Sequence, residues 1–299
     1  MKEVCMEVNL VSLIEQYGDE KKCREYLEAL KWDDGVKCPR CGSDKVSRII
    51  KRDQYDCDKC RYQFSVTAGS IFHDSHLPLW KWFLAVYLMA ESKKGISANQ
   101  IKRSLQISYK TAWYLCHRIR EAMNEVHANQ PKLTGIVEVD ETYVGGNYDK
   151  RRKRAKYGKP AVMGLLQRNG KLEVRCIPTT GARVLNGIVN DRVDKKATIM
   201  TDELAAYKRL DKTFKHECVT HSKEEWVRGD VSTNGVESAW SLFKRSIVGS
   251  YHQISTKHLD SYLQEFEWRF NGRKNEYLFR DTLMKLLETP KMEFKELTA

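Results

Sequence analysis

The 299-residue sequence has no long hydrophobic run. Its longest apolar stretch, WKWFLAVYLMA from Trp80 to Ala90, contains Lys81 and falls well short of the roughly 20 residues a membrane span needs, so no membrane association is expected. A secretory leader is not expected either, because MKEVCMEVNLVSLIEQYGDEKKC is broken by acids. Acidic side chains are in deficit: 40 Asp and Glu face 52 Lys and Arg, giving +12 and favouring a polyanionic partner. That balance alone does not separate DNA from RNA or an anionic surface. The nine cysteines are not spread like a disulfide framework, since four form two close pairs and Cys5, Cys23, Cys116, Cys176 and Cys218 stand singly. The pattern suits a reducing, cytoplasmic compartment, with the single cysteines as small core residues. A chain of this length has room for two or three compact units.

Between Gly35 and Arg61 the spacing is C-x2-C, fifteen residues, C-x2-C. Cys38, Cys41, Cys57 and Cys60 supply the four soft ligands of a tetrahedral structural Zn²⁺, and with all four used no position stays open for catalysis. A redox C-x2-C would need a βαβ setting, which is absent. A zinc ribbon over residues 33–70 is expected, after an N-terminal helical segment at 1–32. Its basic residues Lys45, Arg48, Lys51, Arg52, Lys59 and Arg61 form either a solvated face or a nucleic-acid face. His73 and His76 read as loop residues.

Residues 77–127 read as helices. Ser97 with Gln100 has a capping-box pattern, and Ser108 can cap a second helix after a short link. In that second helix Ala112, Leu115, Cys116, Ile119 and Met123 share one face, leaving Lys110, Tyr114, His117, Arg118 and Arg120 to the other. Either this is a plain helical hairpin or a helix-turn-helix whose Lys110, Arg118 and Arg120 meet DNA, and the upstream zinc ribbon favours the second.

From about residue 132 to 288 the periodicity predicts a third domain. IVEVDETYVGG is a strand, AVMGLLQRNGKLEVRCIP a hairpin turning at Asn169-Gly170, GARVLNGIVNDRV a helix, ATIMTD a strand, ELAAYKRL a helix and HECVTH a strand. The expected fold is thus multidomain, α+β and α/β: zinc ribbon, helix-turn-helix, and a ribonuclease-H-like catalytic domain with a mixed sheet flanked by helices. Asp140 and Asp202 fall at strand ends. Glu237 lies in TNGVESAWSLFKR, where Asn234, Glu237, Ser241 and Lys244 share a helical stripe and Val236, Ala239, Trp240 and Phe243 pack inward. Three convergent carboxylates need cations, and hard oxygen ligands suit two Mg²⁺ or Mn²⁺ ions set for in-line attack on phosphorus. Taken singly, each acid reads as a solvated one, as do neighbouring Glu138, Glu141 and Glu203.

The densest positive run, DKRRKRAKYGK, holds Arg151, Arg152, Lys153 and Arg154. It is a solvated loop or, given its place after the Asp140 strand, a clamp on the DNA backbone. His221, His252 and Arg228 flank the Glu237 segment and could orient phosphates or move protons. Leu259, Tyr262, Leu263, Phe266 and Phe270 repeat at helical spacing as core or subunit contacts.

The stretches YQFSVTAGSIFHDSHLPLWKWFLAVYLM, GIVEVDETYVGG, HSKEEWVRGDVSTNGVESAWSLFKRSIVGSYHQIS and KHLDSYLQEFEWRFNGR resemble the DDE transposases of a bacterial insertion-sequence group (ISXO type) related to Merlin transposons. The resemblance implies that Asp140, Asp202 and Glu237 are the metal-binding triad and that Lys244 is the basic residue of a DDE-K signature. Asn234 also matches the family pattern. It further implies double-stranded DNA partners, namely terminal inverted repeats and a target, and a homodimer or larger assembly acting on the nucleoid. The rival expectations are a metal-dependent nuclease that never joins ends, and a zinc-dependent DNA-binding regulator with an idle catalytic fold.

Overall fold

The computed structural model describes residues 9–145 and 159–298. The chain divides into two compact units: the first takes the residues up to Ser92, Ile96–Met123 and those from Lys274 on, and the second takes Lys93–Gly95 and Asn124–Arg273. Among the described residues no helix is long and apolar enough to cross a membrane.

The first unit begins with α1 (Leu10–Tyr17), capped by a reciprocal Asn9–Ser12 box, and α2 (Glu20–Lys31), capped by Asp19. The antiparallel strands β1 (Val46–Ile49), β2 (Gln54–Cys57) and β3 (Gln63–Phe64) form the ribbon. Helix α2 is tied to it by an Arg24–Asp53 pair at 2.6 Å and a Tyr55 hydroxyl donating to Glu28 at 3.1 Å. Next come α3 (Leu79–Glu91), α4 (Ala98–Leu105) and α5 (Tyr109–Ala122). Ser97 and Ser108 accept from the Gln100 and Thr111 amides, as their capping positions require, while the Gln100 side chain turns to Arg103 and Ser104.

The second unit holds β4 (Ile136–Tyr143), β5 (Ala161–Gln167), β6 (Leu172–Ile177), α6 (Ala182–Arg192), β7 (Thr198–Thr201), β8 (Lys215–Cys218), α7 (Asn234–Ser246) and α8 (Leu259–Asn271). The sheet order is β6-β5-β4-β7-β8; β6, β5 and β4 run antiparallel, whereas β4, β7 and β8 run parallel. One face packs Val137, Val139, Met163, Leu165 and Ile199 against Leu185 and Val189 of α6. The other packs Val162, Leu166 and Val174 against Trp240 and Phe243 of α7 and Phe266 of α8. The β5–β6 hairpin turns where predicted, with Asn169 at φ 58°.

Two expectations are corrected. ELAAYKRL, expected as a helix, forms a 3₁₀ segment, Ala205–Lys212, whose three residues per turn stack the buried anchors Tyr207 and Leu210 directly one above the other. The segment expected to close the catalytic domain at residue 288 forms α9 (Leu278–Glu288), which joins the first unit with α10 (Phe294–Thr298): Phe279 meets Phe83 edge-on at 5.8 Å, and the Ile71 amide donates to the Leu286 carbonyl.

Candidate active site

Strand alternation sets the site. Along IVEVDETY, Val137 and Val139 enter the α6-side core, which turns Glu138 and Asp140 toward α7. Asp140 lies inside β4, which continues to Tyr143, and not at its end. Parallel pairing of Glu138 with Met200 puts Asp140 and Asp202, each two residues further on, at the same level of neighbouring strands. Across the antiparallel side Asp140 faces Gly164, where a Cβ would fall 2.6 Å from the Trp240 ring. The missing side chain lets Trp240 lie against β5 beside the carboxylate.

Glu237 arrives from α7. The Thr233 hydroxyl donates to its Oε1 at 2.6 Å, and His221 Nε2 stands 3.3 Å from the same oxygen. Asp140, Glu141, Glu237, Trp240, Lys244 and Arg245 line an open groove of about 610 Å³. Asp202 Oδ1 accepts from the Leu204 amide at 3.0 Å.

Burial first, then the charges of Glu141, Asp202 and Glu237, push the Asp140 carboxyl up to about 7. Burial likewise raises Glu141, opposed by the hydrogen bond it accepts from the Tyr207 hydroxyl. Hard carboxylate oxygens whose charges oppose one another's ionisation suit a divalent cation, which offsets that repulsion, and the chemistry of the donor set fits one. The carboxylates are not drawn tightly together: among the described residues the one group of three or more His, Cys, Asp or Glu whose ligand atoms all lie within 4.8 Å of one another is the four cysteines. Glu237 is held toward Thr233 and His221 instead.

In the ribbon, Cys38 and Cys60 sulfurs are 3.7 Å apart and Cys41 and Cys57 sulfurs 3.5 Å. Gly42 at φ 71° and Arg61 at φ 56° close the two knuckles by donating to the Cys38 and Cys57 carbonyls. Four clustered thiols on two knuckles fit a tetrahedral structural zinc.

Other expected residues fall elsewhere. Arg118 and Arg120, expected to face DNA, are corrected: they are 4% and 1% exposed. Arg118 donates to the His73 carbonyl and stacks over Trp82 and Tyr114, and burial pulls its pKa down. His117 is buried as well, so α5 is covered on more than its apolar face. Lys110 remains exposed, with its ammonium over the Phe294 ring. Asn234 is the exposed first residue of α7, and Thr233 holds the cap position. His252 ends a π turn, Ile247–Tyr251, at φ 60° and does not line the groove. Arg151, Arg152, Lys153 and Arg154 lie outside the described residues.

Glu138 is not a solvated acid. It is 3% exposed and accepts from Arg168 Nε at 2.7 Å and the Val236 amide at 3.0 Å. A strand buried on both faces was the signal: any acid alternating with Val137 and Val139 must lie under the opposite helix layer.

The family model for a transposase zinc-ribbon domain matches residues 18–63, so it takes in α2 along with the ribbon. The model for an ISXO2-like transposase domain matches residues 132–271. A Halobacterium salinarum protein described as an uncharacterized protein in transposable element ISH50 is 30% identical over 279 residues, 86% of this chain and 92% of that protein. An uncharacterized transposase-like protein of Haemophilus influenzae is 29% identical over 97 residues, 32% of this chain and 77% of its own length. With zinc ribbon, carboxylate groove and near full-length similarity in one chain, the protein belongs to the ISXO2-like transposases.

Proposed function

We propose that this transposase binds the terminal inverted repeats of an insertion sequence and carries out metal-dependent DNA strand cleavage and strand transfer. The observation that carries the reading is the groove in which Asp140 and Glu237 stand together with Lys244, with Asp202 level with Asp140 on the neighbouring strand. A divalent cation bound there, Mg²⁺ or Mn²⁺, supplies charge neutralisation at phosphorus and an acidified water or 3′-hydroxyl. Asp140, Asp202 and Glu237 would hold it. Lys244, two turns along α7 from Glu237 and exposed, would grip a phosphate next to the scissile bond. The strand order, three antiparallel then two parallel, supports a ribonuclease-H-like assignment, with Asp140 inside β4 level with Asp202 just past β7. Helices α4 and α5 joined at Gln106 in the left-handed conformation support a helix-turn-helix, and Lys110 at the start of α5 is the contact that exposure leaves to it.

The test is incubation of purified protein with its element's ends and Mg²⁺, with product ends mapped. Nicks leaving 3′-hydroxyls, followed by joining to target, are expected. Asp140→Asn and Asp202→Asn should bind the ends without nicking. Cleavage without joining of pre-cut ends would reduce the activity to a nuclease, and unimpaired nicking by both variants would remove the carboxylates from the chemistry.

A further inference from the structure

Helix α7 begins without a side-chain cap of its own. Thr233 occupies the cap position, but its hydroxyl is spent as a donor to Glu237. The amide that a cap would satisfy, on Val236, donates instead to Glu138 Oε2 at 3.0 Å, from a residue 98 positions earlier. Glu138 lies two residues before Asp140 on β4 and is 3% exposed. Its other oxygen accepts from Arg168 Nε at 2.7 Å. Arg168 reaches on to the Asp230 carbonyl at 2.6 Å and to Ser232, at 3.1 Å to its carbonyl and 2.9 Å to its hydroxyl. The loop entering α7 and the helix's first turn are therefore both fastened to one buried carboxylate.

Gly235 makes the approach possible. A Cβ there would fall 2.7 Å from Glu138 Oε2 and 2.8 Å from Leu166 Cδ2, closer than such contacts are found. The negative charge also sits where a helix N-terminus favours an anion.

We propose that Glu138 and Arg168 are positioning residues for the carboxylate pair: strand β4 carries Asp140 and, through Glu138, sets the height and rotation of the helix turn that carries Glu237. The inference rests on the assignment of Asp140 and Glu237 to divalent-cation binding. A capping carboxylate that served stability alone could come from any neighbouring strand. Here it comes from the strand that carries the partner ligand, so separation between the two acids is fixed by two residues of β-strand and one turn of helix.

The test measures Mn²⁺ binding to zinc-loaded full-length protein by electron paramagnetic resonance, beside end-DNA affinity, melting temperature and the Mn²⁺ dependence of cleavage. Asp140→Asn and Glu237→Gln serve as controls. In Glu138→Ala, Gly235→Ala and Arg168→Gln the half-saturating Mn²⁺ should rise at least about tenfold while end-DNA affinity stays within about twofold, because only the carboxylate spacing has changed. Glu138→Gln keeps an acceptor for the Val236 amide and should recover most of the Mn²⁺ affinity lost in Glu138→Ala. Should one variant fail to fold, Arg168→Gln, whose side chain is partly exposed, still carries the measurement. If the controls lose Mn²⁺ and the folded clamp variants bind it like wild type, the clamp is structural only and the inference falls. If the controls bind Mn²⁺ like wild type, the assignment of the acids to metal falls with it.

Discussion

Asp140→Asn should make the protein more stable while destroying cleavage. The Asp140 carboxyl is raised from 3.8 to about 7, chiefly by burial and then by Glu141, Asp202 and Glu237. A pKa raised on folding means that the folded state holds the proton more tightly. The stabilisation is complete below the unfolded value and is lost as pH climbs through the folded one. At about 1.36 kcal/mol per unit the loss approaches 4 kcal/mol by about pH 8, of which roughly half falls between about pH 5.5 and 7.5. Asparagine has the same shape and no charge to bury, so it escapes this loss. The variant should melt above wild type by roughly 5–15 °C at about pH 8 for a unit of this size, with a smaller gap at about pH 5.5. Thermal melts of zinc-loaded protein without added Mg²⁺ give the comparison, and the pH window stays above the range where thiolates give zinc up to protons. Added Mn²⁺ should raise the wild-type transition and leave the variant unmoved. A variant that melts at or below wild type at about pH 8, or a gap that ignores pH, would refute the buried-charge account of the site.

Removing zinc, by chelation or by Cys38→Ser, should unfold the ribbon, because structural Zn²⁺ contributes on the order of 10 kcal/mol to such sites; loss of one zinc per chain by elemental analysis should parallel loss of end binding in a shift assay. Lys244→Ala should slow cleavage about 100-fold or more with Mn²⁺ affinity unchanged, and equal single-turnover rates would deny it a phosphate role. Gly164→Ala should destabilise the second unit by about 1–3 kcal/mol in urea, since the new methyl meets the Trp240 ring 2.6 Å away. Arg192→Met should cost about 3–5 kcal/mol by leaving Glu173 buried without its bidentate partner, now at 2.6 and 2.8 Å; the double variant with Glu173→Leu should recover most of it in the same urea assay.

Local chemistry was legible in the sequence. Two C-x2-C pairs can do little but form knuckles, and the helices start where Ser97 and Ser108 offer oxygens to amides three residues on. Strand alternation in IVEVDETY was legible as well, although Asp140 proves to lie inside β4 and not at its end. Contacts made across long stretches of chain were not. Glu138 finds Arg168 and Val236 at separations of 30 and 98 residues, and no periodicity announces such a pairing. The α5 arginines misled for a related reason. An amphipathic split assigns a polar face to water only when one side of the helix is covered, whereas Arg118 is enclosed by Trp82, Tyr114 and the His73 carbonyl. Its guanidinium contributes packing and cation–π contact to the unit's interior.

Helix α9 carries a consequence for synthesis. The first unit, with the zinc ribbon at its start, needs Phe279 against Phe83 and the Leu286 carbonyl under the Ile71 amide to finish its core. Those residues leave the ribosome only after the whole sheet unit has been made. Domains fold as their last segment emerges, so the sheet unit matures first and the ribbon's unit completes last. A nascent chain thus has its carboxylate groove assembled before the unit bearing its zinc ribbon is whole, and a message cut short before α9 yields a protein whose first unit cannot close.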